Sequence, residues 1–159
     1  MTSEDEWYKA AYYKGGGTNA GYWDYPTSSD TAPGRDMADA SGNNANYYGT
    51  PYPIDSGKDT TVAGEFQNSD SPYGTFDQGG NVWEWNEAII IGSYRGLRGG
   101  SFNYYDDFLH AASRGHYGYP AGGDFAVGFR VSEVPEPATM SLLALGGLGM
   151  LMRRRAAGR

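Results

Sequence analysis

The chain has 159 residues, of which 39% are hydrophobic and 15% aromatic, with 25 glycines, 14 tyrosines and no cysteine. The lack of cysteine excludes disulfide bonds, thiolate metal sites and cysteine nucleophiles within this chain. Four of the twelve basic residues lie in the last seven positions, so the rest of the chain carries nineteen acidic residues against eight basic ones. This acidic balance argues against nucleic-acid binding, which requires basic surface. We therefore expect one loop-rich domain with an aromatic core, followed by a tail.

The first predicted element is a short helix over residues 4–14. Its acidic first turn suits a helix N-terminus, and Thr2 or Ser3 can cap it. Trp7 falls on the same helical face as the alanines that follow, so we expect it in the core. Three consecutive glycines at 15–17 end the helix.

The next part of the chain predicts short strands within long polar loops. Residues 21–26 and 61–66 alternate as short strands do. Residues 27–46 are rich in Ser, Thr, Asp, Gly and Asn and form a predicted surface loop. A loop of this length in a compact domain is usually functional or held by a ligand. Its oxygen-bearing side chains are compatible with a calcium site, although a solvated polar loop is the simpler interpretation.

The central stretch of the sequence is Phe-Asp-Gln-Gly-Gly-Asn-Val-Trp-Glu-Trp-Asn-Glu over residues 76–87. In an extended chain Trp83 and Trp85 point the same way and Glu84 points to the opposite face. Asp77, Glu84 and the intervening carbonyls offer the oxygen ligands that calcium takes. The alternative is a tight glycine turn that leads into a half-buried strand with an aromatic core face.

The last part of the domain predicts three further strands. Residues 88–91 are the one aliphatic β-type run and predict a buried strand. Residues 94–102 predict a strand broken by glycines, and residues 125–131 predict the closing strand, with a loop between them. Three arginines next to small residues are predicted to lock loops through carboxylate pairs rather than to act in catalysis; they are Arg98, Arg114 and Arg130.

Several short motifs resemble the formylglycine-generating enzyme (sulfatase-modifying factor) family, and they occur in that family's order. They are Glu-Asp-Glu-Trp-Tyr-Lys-Ala-Ala at 4–11, Asn-Asn-Ala-Asn-Tyr at 43–47, Gly-Asn-Val-Trp-Glu-Trp at 80–85, Arg-Gly-Gly-Ser-Phe at 98–102, Ala-Ala-Ser-Arg at 111–114 and Gly-Phe-Arg at 128–130. The resemblance covers only the C-terminal part of a family domain, so we expect an N-terminally truncated copy. It implies an irregular α+β fold related to the C-type-lectin fold.

The same resemblance implies two calcium sites. In the first, the ligands would be Asp77, the carbonyls of Gly80 and Val82, and Glu84. In the second, Asn46 would bind together with the carbonyl of Tyr47, and the sequence leaves its acidic partner open.

The tail resembles a PEP-CTERM sorting signal. Pro-Glu-Pro at 135–137 precedes an uncharged run over 138–152, and arginines follow at 153–155. As a helix that run would extend about 22 Å, a marginal membrane span. The resemblance implies export by a Gram-negative bacterium and recognition by an exosortase-type protease. We therefore divide the chain into a domain at 1–132, a sorting box at 133–137, a transmembrane helix at 138–152 and a basic cytoplasmic tail at 153–159.

Three hypotheses for function follow. Active family members oxidise a substrate cysteine with copper and paired cysteines, which this chain lacks. Neither copper nor iron is expected here, since His110 and His116 alone make no facial triad. The first hypothesis is a non-catalytic, calcium-stabilised surface module that binds extracellular polysaccharide or a surface protein. The alternative is an oxidoreductase whose catalytic residues lie in a missing N-terminal part, and the third is a fragment that does not fold.

Overall fold

The computed structural model of the protein describes residues 1–16, 20–55, 57–117 and 123–132. Its elements are α1 (Glu4–Tyr12), β1 (Trp83–Ile91), β2 (Tyr94–Arg98), a 3-10 helix (Asp106–Leu109), β3 (Gly115–Tyr117) and β4 (Val127–Phe129). Few helices and short strands among long loops confirm the predicted irregular α+β architecture at this level. The predicted sorting box, transmembrane helix and basic tail lie outside the described residues. Within the described ranges, no helix has the length and apolar character needed to cross a membrane.

Helix α1 begins at a complete capping box. The Ser3 hydroxyl accepts from the Glu6 amide at 3.2 Å, and the Glu6 carboxylate accepts from the Ser3 amide at 2.9 Å. Ser3 is therefore the cap, and the helix ends at Tyr12 because Tyr13 adopts an extended conformation with ψ 117°. Trp7 is 1% exposed, so its predicted place in the core is confirmed.

The four strands form one sheet in the order β3-β2-β1-β4. β1 pairs antiparallel with β2, with Trp85 opposite Leu97, and parallel with β4, with Trp83 opposite Val127. The predicted strands over 21–26 and 61–66 are wrong. Residues 21–26 make only isolated bridges, and Pro26 has no N–H with which to extend one. Residues 61–66 turn back on themselves through a Glu65 amide to Val62 carbonyl bond of 3.0 Å.

The aliphatic run at 88–91 is the second half of β1, but it is not buried as predicted. Ile89 and Ile91 are 64% and 63% exposed. The outer strands are too short to cover them, because β4 pairs only with residues 83–85 and β3 only with residues 95–97. The core is instead aromatic, as composition predicted, and its large fully buried apolar side chains are Trp7, Tyr12, Phe102 and Leu109.

Candidate functional site

Alternation along β1 sends its side chains to two opposite surfaces of the sheet. Glu84, 5% exposed, faces α1 and meets the Trp7 indole, and Asn86, on the same side of the strand, is fully buried. Trp83 and Trp85 face the other way, as the sequence predicted. The protein therefore has two candidate sites, a polar groove beside Glu84 and an aromatic cleft over Trp83.

The Glu84 carboxylate is held by one neutral and one charged donor. Its Oε2 accepts from the Trp7 indole N–H at 2.6 Å and from Nε of Arg130 at 2.6 Å. Burial raises the pKa of Glu84 above its ordinary value, and the nearby Asp77 carboxylate adds to this, while Arg130 and Trp7 oppose it. Glu84 thus sits in a buried, charge-compensated pair at the base of the groove.

The polar groove, about 480 Å³ in volume, brings together three of the four predicted ligands of the first calcium site: Asp77, Val82 and Glu84. Asp77 has φ +56°, which turns the chain sharply, and its Oδ2 accepts from the Gly64 amide at 2.6 Å. Arg130 also borders this groove. Two carboxylates and one guanidinium therefore face a common space.

The groove offers the type of oxygen ligand that a hard cation such as calcium takes. Glu84 Oε1 and Asp77 Oδ1 accept no hydrogen bond from the described part of the chain, since the bonds to these carboxylates all go to the other oxygen. Neither the Gly80 nor the Val82 carbonyl accepts a turn or loop hydrogen bond from a described residue. Free carboxylate and carbonyl oxygens are what calcium requires. Among the described residues, no three His, Asp or Glu side chains form a metal cluster, so carbonyls would have to complete the set.

The turn at residues 79–81 is packed against Asn46, a predicted ligand of the second site. Gly80 has φ +76°, and a Cβ there would overlap the Asn46 carbonyl. That carbonyl accepts from the Asn81 amide at 2.7 Å, and the Asn81 side-chain oxygen accepts from the Thr61 amide at 3.0 Å. The Asn46 side chain donates to the Asp59 carbonyl at 2.9 Å. The sequence did not reveal that the two predicted calcium sites adjoin.

Tyr47, the other predicted member of the second site, is anchored elsewhere by its side chain. Its hydroxyl donates to the Pro33 carbonyl at 2.7 Å. Arg35 lies over the Tyr47 ring, 5.5 Å from the centroid. The side chain therefore serves the packing of the long loop, and only the backbone of Tyr47 is available to a metal.

The aromatic cleft lies on the opposite surface and has a volume of about 390 Å³. Trp83, 6% exposed, forms its floor and meets the Tyr104 ring at 5.4 Å and the Phe108 ring at 6.0 Å. Its rim includes Phe125, 77% exposed. Its polar groups come from Asn103, Arg114, His116 and Asp124. Such a mixture of ring faces and a few polar groups is typical of ligand sites.

Most of the residues of this cleft were missed at the sequence level. They lie at residues 103–117 and 124, in the predicted loop between the last two strands. The density of aromatic residues in an otherwise polar loop was the available signal. Nothing in the spacing indicated that Tyr104 and Phe108 pack against Trp83.

The three arginines act as predicted, in structural ion pairs. Arg98 donates from Nε and Nη2 to a single Glu4 oxygen at 2.9 and 2.8 Å, and Arg114 donates to the other oxygen of Glu4. Arg130 pairs with Glu84. Helix α1 is thus tied by its first residue to β2 and to the segment before β3.

The two histidines lie on different elements. His110 follows the 3-10 helix, and its Nδ1 accepts from the Ala112 amide at 3.0 Å. His116 is in β3, stacks near Tyr94 at 5.8 Å and borders the aromatic cleft. The structure gives each a local packing partner.

Comparison with known proteins gives two family matches. Residues 1–134 match the family model of the sulfatase-modifying factor enzyme 1-like domain, and residues 133–155 match the PEP-CTERM protein-sorting motif. No curated protein gives a significant match. Among solved structures, variable protein 1 of Treponema denticola is similar at 27% identity with a TM-score of 0.49. That match covers 81% of this chain and 45% of the other, so the chain spans less than half of that protein.

Proposed function

Because the chain belongs to the sulfatase-modifying factor family and ends in a PEP-CTERM sorting motif, we propose that it is a non-catalytic surface module. The motif marks an exported protein and implies processing by exosortase-type machinery. In this proposal the aromatic cleft holds an extracellular ligand, and calcium stabilises the domain from the polar groove.

The observation that carries the proposal is the aromatic cleft. Aromatic rings and small apolar residues make up most of its lining, and four residues contribute polar side chains. The oxidation that the family resemblance implies uses paired cysteines, and the chain contains none. Ring faces and a few hydrogen-bond groups support binding, because aromatic side chains supply rigid contact area at low entropic cost.

Binding in the cleft can be tested with Tyr104→Ala and a matched surface control. Tyr104 is 40% exposed, so its removal should leave the fold intact. Tyr73→Ala removes a 53% exposed ring from a turn outside the cleft. A glycan and surface-polymer panel is screened with the full chain in mild detergent. Ligands that bind the wild type and Tyr73→Ala but not Tyr104→Ala support the cleft. Equal binding by all three would contradict it.

The absence of catalysis is tested directly. The full chain is incubated with a cysteine-containing sulfatase peptide, copper and oxygen, and the peptide is followed by mass spectrometry. We expect no change in peptide mass. Conversion of cysteine to formylglycine would overturn this part of the proposal and favour the oxidoreductase alternative.

Calcium is proposed at Asp77, Glu84 and the carbonyls of Gly80 and Val82, with a second ion at Asn46 and the Tyr47 carbonyl. Bound calcium would supply positive charge between the turn and β1. Asp77 would bind through the oxygen that Gly64 leaves free, and Glu84 would keep its pairing to Arg130 through Oε2.

The proposal also assigns a membrane anchor to the tail. The sorting motif spans residues 133–155 and contains the uncharged run of residues 138–152 followed by arginines. Such a run with a basic end favours insertion with the arginines on the cytoplasmic side. Carbonate extraction of membranes from a Gram-negative host would test it: the chain should stay in the membrane pellet, and a variant lacking 138–159 should not.

A further inference from the structure

A second group of exposed rings begins at the wall of the aromatic cleft. Tyr105 directly follows Tyr104, and its ring lies 5.0 Å from that of Tyr48. The Tyr48 ring in turn lies 5.1 Å from that of Tyr52. These three residues, here called the tyrosine row, are 59%, 39% and 43% exposed, in the order Tyr105, Tyr48, Tyr52.

The tyrosine row is fixed to the cleft through the backbone. The Tyr48 amide donates to the Tyr104 carbonyl at 2.7 Å, so the two loops that carry the rings are joined at the cleft wall. Tyr52 stands between two prolines, whose fixed φ angles restrict the local chain. Rings held in this way lose little conformational entropy on binding.

One carboxylate lies beside the tyrosine row, and two more follow Tyr105 in the chain. Asp59 lies close enough to Tyr52 to contribute, after burial, to a raised pKa of that phenol. Asp106 and Asp107 follow Tyr105 directly. Within the described part of the chain, none of these three carboxylates forms a salt bridge. Carboxylate oxygens without a cationic partner can accept hydrogen bonds from a ligand, and their charge repels anionic polymers.

We propose that the tyrosine row is an extended subsite for a neutral polysaccharide that continues out of the aromatic cleft. The ring faces stack against the apolar faces of the sugars, and the carboxylates accept from sugar hydroxyls. This inference rests on the proposed binding function of the cleft and names its ligand class. The chain's net charge of −7 disfavours anionic polysaccharide as the occupant.

The test measures how binding depends on the length and charge of the ligand, in the wild type, in cleft and tyrosine-row variants, and in a surface control. Calorimetry with the full chain in mild detergent measures binding of a neutral gluco-oligosaccharide series, β-1,3- and β-1,4-linked, from disaccharide to hexasaccharide, and of alginate oligomers. We expect the hexasaccharide to bind the wild type at least about tenfold more tightly than the disaccharide, which corresponds to about 1.4 kcal/mol. Tyr48→Ala with Tyr105→Ala should abolish this gain and leave disaccharide binding unchanged. Tyr73→Ala should bind as the wild type does.

The outcomes separate this inference from the cleft proposal. In one outcome, Tyr104→Ala abolishes all binding while the tyrosine-row variant still binds the hexasaccharide more tightly than the disaccharide. That result would contradict the extended subsite and support the cleft proposal. No effect of Tyr104→Ala on the disaccharide would overturn the cleft. Tighter binding of alginate than of the neutral hexasaccharide, or no binding of any neutral member of the series, would overturn the ligand class.

Discussion

The indole N–H of Trp7 donates a 2.6 Å hydrogen bond to Glu84, which lies 77 positions further along the chain. The bond joins the buried face of α1 to β1, one of the two interior strands of the sheet. Both partners are almost fully buried, at 1% and 5% exposure. A hydrogen bond to a charged acceptor in such a place contributes more than one at the surface.

Trp7→Phe keeps a ring in the core but removes the donor to Glu84. We expect it to lower the free energy of unfolding by about 1.5–3 kcal/mol, the range for hydrogen bonds to charged groups. Urea denaturation of the full chain in detergent measures this. Trp23→Phe is the control, because the Trp23 indole N–H donates to no described residue. If Trp23→Phe lowers the free energy of unfolding as much as Trp7→Phe does, the effect does not come from the Trp7–Glu84 hydrogen bond.

Glu84 should make the stability of the calcium-free protein depend on pH. Because its folded pKa is raised, the native state keeps a proton that the unfolded chain has released, but only between the ordinary glutamate pKa and the folded pKa. The free energy of unfolding contributed by this group therefore falls as pH rises from the ordinary glutamate range to the folded pKa. Glu84→Gln cannot titrate and should lack this fall in a pH series of melts in EDTA. An identical slope in both proteins would show that other groups cause it.

Calcium should raise the melting temperature, and the rise should be larger at neutral pH than in acid. Protons compete with the metal for carboxylate ligands, so calcium affinity increases as Glu84 ionises. Glu84→Gln and Asp77→Asn should both lose the response. Asp70→Asn, an exposed carboxylate outside the groove, should keep it. If the wild type melts at the same temperature in calcium and in EDTA, calcium binding is not coupled to folding.

Gly80→Ala should destabilise the domain for two separable reasons. The positive φ angle alone costs about 1–2 kcal/mol for a residue with a Cβ, and the Asn46 carbonyl leaves no room for that Cβ. Gly74→Ala isolates the first cost, since Gly74 has φ +71° with nothing within 4 Å of the added carbon. Gly80→Ala should therefore lower the free energy of unfolding more than Gly74→Ala in the same denaturation experiment. Similar losses would mean that the turn moves away from Asn46.

The local sequence predicted those features that short-range physics controls. The capping residues, the burial of Trp7 and the opposite directions of Glu84 and Trp83 follow from helix and strand geometry. The prediction of strands at 21–26 and 61–66 was wrong because alternation alone does not provide a partner strand. The prediction that residues 88–91 are buried was wrong because their exposure depends on how far the neighbouring strands extend, which is a property of the whole sheet.

The sequence by itself determined the family, the sorting motif, the aromatic composition of the core and the residues that supply carboxylates and arginines. Only the tertiary structure decided which of these meet. Arg130 reaches Glu84 across 46 positions, and Glu4 binds arginines 94 and 110 positions away. The cleft over Trp83 and the row from Tyr105 to Tyr52 arise where separate loops dock. Such contacts depend on long-range packing of irregular loops, for which the sequence has no repeating period to read.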